Sequence, residues 1–182
     1  MNDNSNKLIL HLCADIGSDS QPYRDAGYQV VCVGEKEDVR TFVPPDNVYG
    51  IIANPPCTHL AGSGARWWVG KGKSALLEAL SVVDACIRVV VVSKPKFWVL
   101  ENPVGRLSKY LGPPVATYQP YEYGDTYSKR TCLWGNFVLP RKTPVIPTEK
   151  DKIWKMAPSP ERGKMRSICS PKFAKVFFEA NQ

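Results

Sequence analysis

The 182-residue sequence has only two histidines, His11 and His59, and none of its six cysteines stands in a Cys-x-x-Cys pair. No metal centre is therefore expected, because such sites draw on closely spaced Cys and His ligands. Cys13, Cys32, Cys57, Cys86, Cys132 and Cys169 are widely separated, several of them inside apolar runs. That spacing speaks against a disulfide framework and for free thiols in a reducing cytoplasm. No apolar stretch approaches the roughly eighteen residues of a membrane span. The polar opening Met1 to Lys7 leads into an apolar run too short for a signal peptide. A cytoplasmic protein with no membrane partner is expected. The chain is also too short for two ordinary domains, so a single core is expected.

Positive charge is in surplus and unevenly placed. Of the net +7, residues 1–140 contribute little, with 14 Lys/Arg against 13 Asp/Glu, whereas residues 141–182 carry 10 against 4. A basic cluster of this kind suits a polyanionic partner such as nucleic acid, although a solvated, solubilising face gives the same count.

The order of apolar runs predicts an α/β domain. Leu8-Ile9-Leu10-His11-Leu12 and Gln29-Val30-Val31-Cys32-Val33 read as strands around a short helix over 20–26 closed by Gly27. A buried strand over 48–53 follows, stopped by Asn54-Pro55-Pro56, because proline cannot donate to a ladder. Helical spacing over 74–93 places Leu76, Leu77, Leu80, Val83, Ile87 and Val90 or Val91 on one face. Phe97-Trp98-Val99-Leu100 is a further buried strand, ending at Glu101-Asn102-Pro103. Residues 118–127 read as a loop, 130–135 and 137–139 as one or two late strands, and the proline-rich stretch 140–167 as irregular. Ser170-Pro171 then opens a helix whose Phe173, Val176, Phe177 and Ala180 share a face. There is no internal repeat.

Chemistry concentrates at two predicted strand ends. A cysteine just past a strand and a Pro-Pro turn, here Cys57, can be held rigidly near backbone amides that lower a thiol pKa. Glu101-Asn102 at the end of the next buried strand would bring a carboxylate into the same cleft, at the edge where open α/β sheets bind ligands.

Asn54-Pro55-Pro56-Cys57-Thr58 followed by Glu101-Asn102 resembles the Pro-Cys and Glu-Asn motifs of the DNA cytosine-5 methyltransferases, in the same order and strand context. Ser128-Lys129-Arg130 is similar to the family's arginine-containing motif. The likeness is nearest to compact bacteriophage members without a target-recognition domain. It implies a Rossmann-like S-adenosylmethionine-dependent methyltransferase fold, a single α/β domain with a mixed, mostly parallel sheet flanked by helices. On this likeness, 1–139 would be the catalytic part, 140–169 a basic irregular segment in place of a recognition domain, and 170–182 a helix packing back. The implied chemistry is addition of the Cys57 thiolate to cytosine C6, which activates C5 for methyl transfer from S-adenosylmethionine. Glu101 would hold N3 and the exocyclic amine, Asn102 would fix the cysteine loop, and Arg130, or Lys129 if the register slips, would neutralise charge near the base. Cys13, Asp15, Gly17, Glu35, Asp38, Val39, Asn54 and Pro55 would line the cofactor site, with Glu35 on the ribose and Asp38-Val39 at the adenine edge. Thr58, Arg66, Trp67 and Ser128 would meet the substrate. The implied partner is DNA, duplex or single-stranded, or a cytosine nucleotide, and a duplex base would need to be flipped out.

Two departures stand out. Asp15 occupies the place of the family's first cofactor glycine, and about thirty residues, 136–164, replace a recognition domain of roughly a hundred residues. Sequence specificity would then be short, absent, or supplied by a protein partner or a second copy of the chain. Two other readings remain open: a non-catalytic methyltransferase-fold protein that binds nucleic acid or a host protein, and an amino methyltransferase or an enzyme using another one-carbon donor.

Overall fold

Strands form where the apolar runs predict them, and they share one sheet. The protein's structure, a computed structural model, describes all residues except 1, 2, 15, 16, 35, 154 and 158 and the side chain of Lys164. β1 (Leu8–Leu12), β2 (Gln29–Val33), β3 (Val48–Ala53) and β4 (Phe97–Pro103) run parallel, while β5 (Ala116–Tyr118) and β6 (Thr131–Asn136) complete the sheet in the order β2-β1-β3-β4-β6-β5. β6 is antiparallel to both β4 and β5. The result is the α/β class expected, a mixed, mostly parallel sheet flanked by helices.

The first crossover follows its sequence signals. α1 (Gln21–Asp25) carries proline in its first turn, and Gly27 takes a φ of 84°, which lets the chain turn sharply into β2. Gly50 of β3 faces Phe97 of β4, and a Cβ there would lie 2.3 Å from the Phe97 ring, so the glycine makes room for the aromatic side chain.

α2 (Trp68–Ser93) covers one face and begins earlier than the periodicity predicts, with non-helical geometry at Gly72 (φ 74°) inside it. Its buried stripe is Ala79, Val83, Ala85, Cys86, Val89 and Val90. Of the two valines expected at the end of that face, Val90 is buried and Val91 exposed, and Leu77, also expected there, is 66% exposed. The contact line runs through Ala79, Val83, Cys86, Val89 and Val90, with Leu76, Leu80 and Ile87 partly buried beside it.

α3 (Ser108–Leu111) is one turn, α4 (Arg162–Ser167) lies in the stretch expected to be irregular, and α5 (Pro171–Ala180) packs on the other face against α1 and the Ser18–Ser20 turn. Ser170 caps α5 as its sequence implies, its Oγ accepting from the Phe173 amide at 3.0 Å. Phe173, Ala174 and Phe177 join Tyr23, Phe97, Tyr118 and Tyr123 in an aromatic core. The 118–127 stretch is more ordered than expected. Tyr118 ends β5, and a 3-10 turn (Pro120–Tyr123) is closed by reciprocal bonds between Gln119 and Glu122. A single late strand runs to Asn136, and Phe137 packs beside Phe177 instead of extending a ladder. Among the described residues no helix is long and apolar enough to cross a membrane.

Candidate active site

β1 is flanked by β2 on one side and β3 on the other, so the connections leaving β1 and returning to β3 diverge at their carboxyl ends. Such a switch point opens a crevice. Cys13 and Gly17 rim it after β1, both with left-handed backbone (φ 57° and 70°), and Asn54 to Cys57 rim it after β3.

The cysteine loop is clamped from below. Asn54 extends the ladder through its amide to the Leu12 carbonyl (3.0 Å), after which Pro55 and Pro56 end pairing. The amides of Leu60 and Ala61 both donate to the Cys57 carbonyl at 2.9 and 2.8 Å, forming a tight turn beneath the thiol. Asn102 Nδ2 donates to the Pro55 carbonyl at 2.8 Å, which ties the loop to β4. Beyond it, Ala61 pairs with Gly105, and Arg106 reaches the Leu60 carbonyl through its amide (2.9 Å) and the His59 carbonyl through Nε (2.7 Å).

Strand alternation sends Asn102 and Glu101 to opposite faces. Trp98 and Leu100 pack beneath α2, whereas Phe97 and Val99 face α5, and Glu101 continues that second row. There it meets Asp19, Tyr118 and Cys169 around a cavity of about 20 Å³. Glu101 Oε1 is buried and has no hydrogen-bond partner among the described residues. Burial pushes the Glu101 carboxyl up from its ordinary value and Asp19 adds to this, while Lys129 and bonds from Thr131 and Asn54 oppose it.

The Cys57 thiol is pushed up, not down as the sequence reading expects. Crowding by protein around the sulfur is the largest cause and the Glu101 charge the second, with Lys129 and Arg166 pulling the other way. The residue nonetheless keeps an exposed surface. The Cys57 thiol and the Glu101 carboxyl each favour the protonated form, and ionisation of one opposes ionisation of the other.

The same alternation decides the basic motif. Lys129, with Thr131, lies on the Glu101 face and acts on Cys57, Glu101 and Cys169; its Nζ donates to the Ile168 carbonyl at 3.1 Å. Arg130 is exposed and acts on Cys132, on the other side of β6. Of Lys129 and Arg130, Lys129 is therefore the one that acts on Cys57 and Glu101. Ser128 is half-buried on the segment that leads to it.

Several expected cofactor contacts are turned inward. Asn54 Oδ1 accepts from His11 Nε2 (2.9 Å), and Asn54 Nδ2 donates to Asp19 (2.8 Å). Asp38 is held by Arg40 at 2.6 Å, which also reaches Glu78 at 2.7 Å, and Val39 is buried in the core beneath α2. The Cys13 sulfur lies 3.8 Å from that of Cys86. Pro55 is buried. Asp15 and Glu35 lie outside the described residues. Gly34 passes so close to Ala14 that a Cβ would lie 2.5 Å from its carbonyl oxygen, so the tips after β1 and β2 form one continuous edge.

Thr58 and Arg66 are exposed, the Arg66 guanidinium standing 5.0 Å over the Trp67 ring, and Trp67 is itself 58% exposed. Trp68 is half-buried against Arg106.

The chain matches no protein family model and no curated protein. Among solved structures it is similar to one from E. coli described as a DNA modification methyltransferase encoded within a prophage. That likeness has 15% identity and a TM-score of 0.49, and it covers 84% of this chain and 55% of that one. This chain thus spans about half the length of that protein.

Sequence reasoning passed over His11, Asp19, Arg106 and Arg166. His11 carried a signal, a polar residue inside an otherwise apolar strand, and it is buried with Ser20 Oγ at 2.9 Å from Nδ1. Asp19 and Arg166 reach the cleft from a turn and a short helix that no periodicity marks.

Proposed function

We propose that this protein is a cytosine-C5 methyltransferase-type enzyme acting on DNA or a cytosine nucleotide, with Cys57 as nucleophile and Glu101 as the group that holds the base. The observation that carries the proposal is the buried Glu101 carboxyl with its unpartnered Oε1, whose charge acts on the Cys57 thiol. A carboxyl biased toward its neutral form donates one hydrogen bond and accepts another, the pattern complementary to cytosine N3 and its exocyclic amine.

In the reaction the Cys57 thiol gives its proton to solvent, to which it is exposed, and the sulfur bonds to C6. The C5–C6 π electrons move toward C5 as Glu101 transfers its proton to N3. Lys129 and Arg166 favour the thiolate at that moment. S-adenosylmethionine, in the crevice rimmed by Cys13 and Gly17, would supply an electrophilic methyl group to C5. Loss of the C5 proton and return of the N3 proton to Glu101 then expel the Cys57 sulfur.

Mass spectrometry of nucleosides from DNA or cytosine nucleotides incubated with protein and S-adenosylmethionine tests the proposal. 5-Methylcytosine is expected with the wild type and none with Cys57→Ala; an oligonucleotide carrying 5-fluorocytosine should be trapped covalently. Product formation by Cys57→Ala at the wild-type rate refutes the assignment.

A second reading draws on Asp38 and Asn54, whose polar atoms are already taken by Arg40, His11 and Asp19. In it the protein binds nucleic acid without using the cofactor. Calorimetry decides: no heat with S-adenosylmethionine at millimolar concentration, alongside nucleic-acid binding, selects this reading.

A further inference from the structure

Arg106 is 9% exposed and makes no ion pair among the described residues. Its Nε is used, on the His59 carbonyl, but its Nη2 is buried without a partner. The guanidinium lies 4.7 Å from the centre of the Trp68 ring, and Trp68 Nε1 and His59 Nδ1 are also buried and unpartnered. Arg106 thus joins the Trp68 ring to the His59 main chain, and each of the three residues leaves one buried nitrogen unsatisfied around a cation without an ion pair among the described residues. Burying a cation without a counter-charge is costly, and so is each unmade bond. With His59 in its Nδ1-protonated tautomer all three nitrogens are donors, so the missing group is an anion with several acceptor oxygens. A guanidinium fork beside further N–H donors matches phosphate.

We infer that Arg106, Trp68 and His59 form a receptor for a phosphate of the substrate, placed directly behind the nucleophile loop. This rests on the nucleotide-modifying reading proposed above and extends it to how the substrate is gripped. His59 is two residues from Cys57, and the same guanidinium that would take the phosphate holds the His59 carbonyl. Phosphate occupancy therefore ties the substrate to the loop that carries the thiol. The Gly62–Trp67 turn, which leads into Trp68 and has no buried residue, is the segment that must shift to admit the group. The phosphate is either the monoester of a free nucleotide or the diester next to the target base in a strand, and the chemistry of recognition is the same.

Binding of 2′-deoxycytidine, dCMP and the trinucleotide TpCpT is measured by calorimetry on the full chain, with thymidine and TMP as a base control. Wild type is expected to bind a phosphorylated ligand about tenfold or more tighter than the nucleoside. Preference for dCMP identifies a monoester, and preference for TpCpT alone a diester. Arg106→Gln should remove that preference, read as the ratio of phosphorylated-ligand to deoxycytidine affinity within the variant itself. Trp68→Phe keeps the ring against Arg106 and deletes only the N–H, so a smaller loss of the same preference is expected; it carries the test if Arg106→Gln does not fold. The inference is overturned if wild type shows no preference for phosphate, or if the folded variants keep it in full. Equal preference for TMP and dCMP would leave the phosphate receptor standing and refute the cytosine assignment instead.

Discussion

Gly105→Ala probes the clamp that holds the nucleophile loop. A Cβ at residue 105 would lie 2.0 Å from the Leu60 carbonyl oxygen, 2.8 Å from the Gly62 amide nitrogen and 2.9 Å from the Ala61 Cα. All three are main chain, so no side chain can swing aside. To reach the 3.4 Å of ordinary contact the Leu60 carbonyl must retreat by about 1.4 Å. That movement pulls on the Gly62-to-Val104 and Arg106-to-Leu60 bonds, now 2.8 and 2.9 Å, and on Arg106 to His59 at 2.7 Å. Overpacking costs about 1–3 kcal/mol, and weakening two of the three bonds adds about 1–2 kcal/mol. A total of about 2–5 kcal/mol corresponds to a fall in melting temperature of about 5–15 °C for a chain of this size. Calorimetric melting reads this directly, with Gly64→Ala as control, since a Cβ there meets nothing nearer than the Thr58 carbonyl oxygen at 3.9 Å. Cys57 should also alkylate faster in Gly105→Ala than in wild type, because its turn is no longer held against β4. A melting temperature within about 1 °C of wild type, with unchanged alkylation, would refute the idea that this close approach positions the loop.

Other consequences follow from charge and capping. Glu101 has its carboxyl raised above the ordinary 4.5, so the unfolded chain loses that proton first and stability falls as pH climbs from about 4.5 through the folded value. Glu101→Gln lacks this loss; its melting temperature relative to wild type should rise with pH over that window, and a flat difference would contradict it. Because the Glu101 charge raises the Cys57 thiol and Lys129 lowers it, Glu101→Gln should move the pH profile of iodoacetamide alkylation downward and Lys129→Met should move it upward; shifts of the opposite sign would disprove the pairing. Ser170→Ala removes the α5 cap on the Phe173 amide and the hydroxyl that donates to Asp125, and should cost about 1–2 kcal/mol in urea unfolding.

Residues 48–53 and 97–103 already declared buried strands ended by Asn-Pro-Pro and Glu-Asn-Pro, and in an open parallel sheet that was enough to bring Cys57 and Glu101 to one edge. The β-α-β opening and the Ser170-Pro171 cap were equally readable, since period, proline and glycine act locally. What was not readable depended on which side chains face each other. The β6 register chose Lys129 over Arg130, and the packing of α2 on the core left Leu77 exposed and chose Val90 over Val91. The one-turn elements that deliver Asp19 and Arg166 carry no periodicity.

On the sign of the Cys57 shift the local and global arguments part. A Pro-Pro-Cys turn near backbone amides argues for an acidic thiol. The folded chain crowds the sulfur and sets Glu101 beside it, and desolvation with a neighbouring carboxylate outweighs what the turn and two cations supply. The sequence by itself determined the α/β sheet, the strand ends and the residues that meet there, because these follow from apolar period and chain-stopping prolines. Only the tertiary structure decided their protonation, which cation answers them and the uncompensated Arg106 behind the loop, because burial and facing charge exist only once the chain is folded.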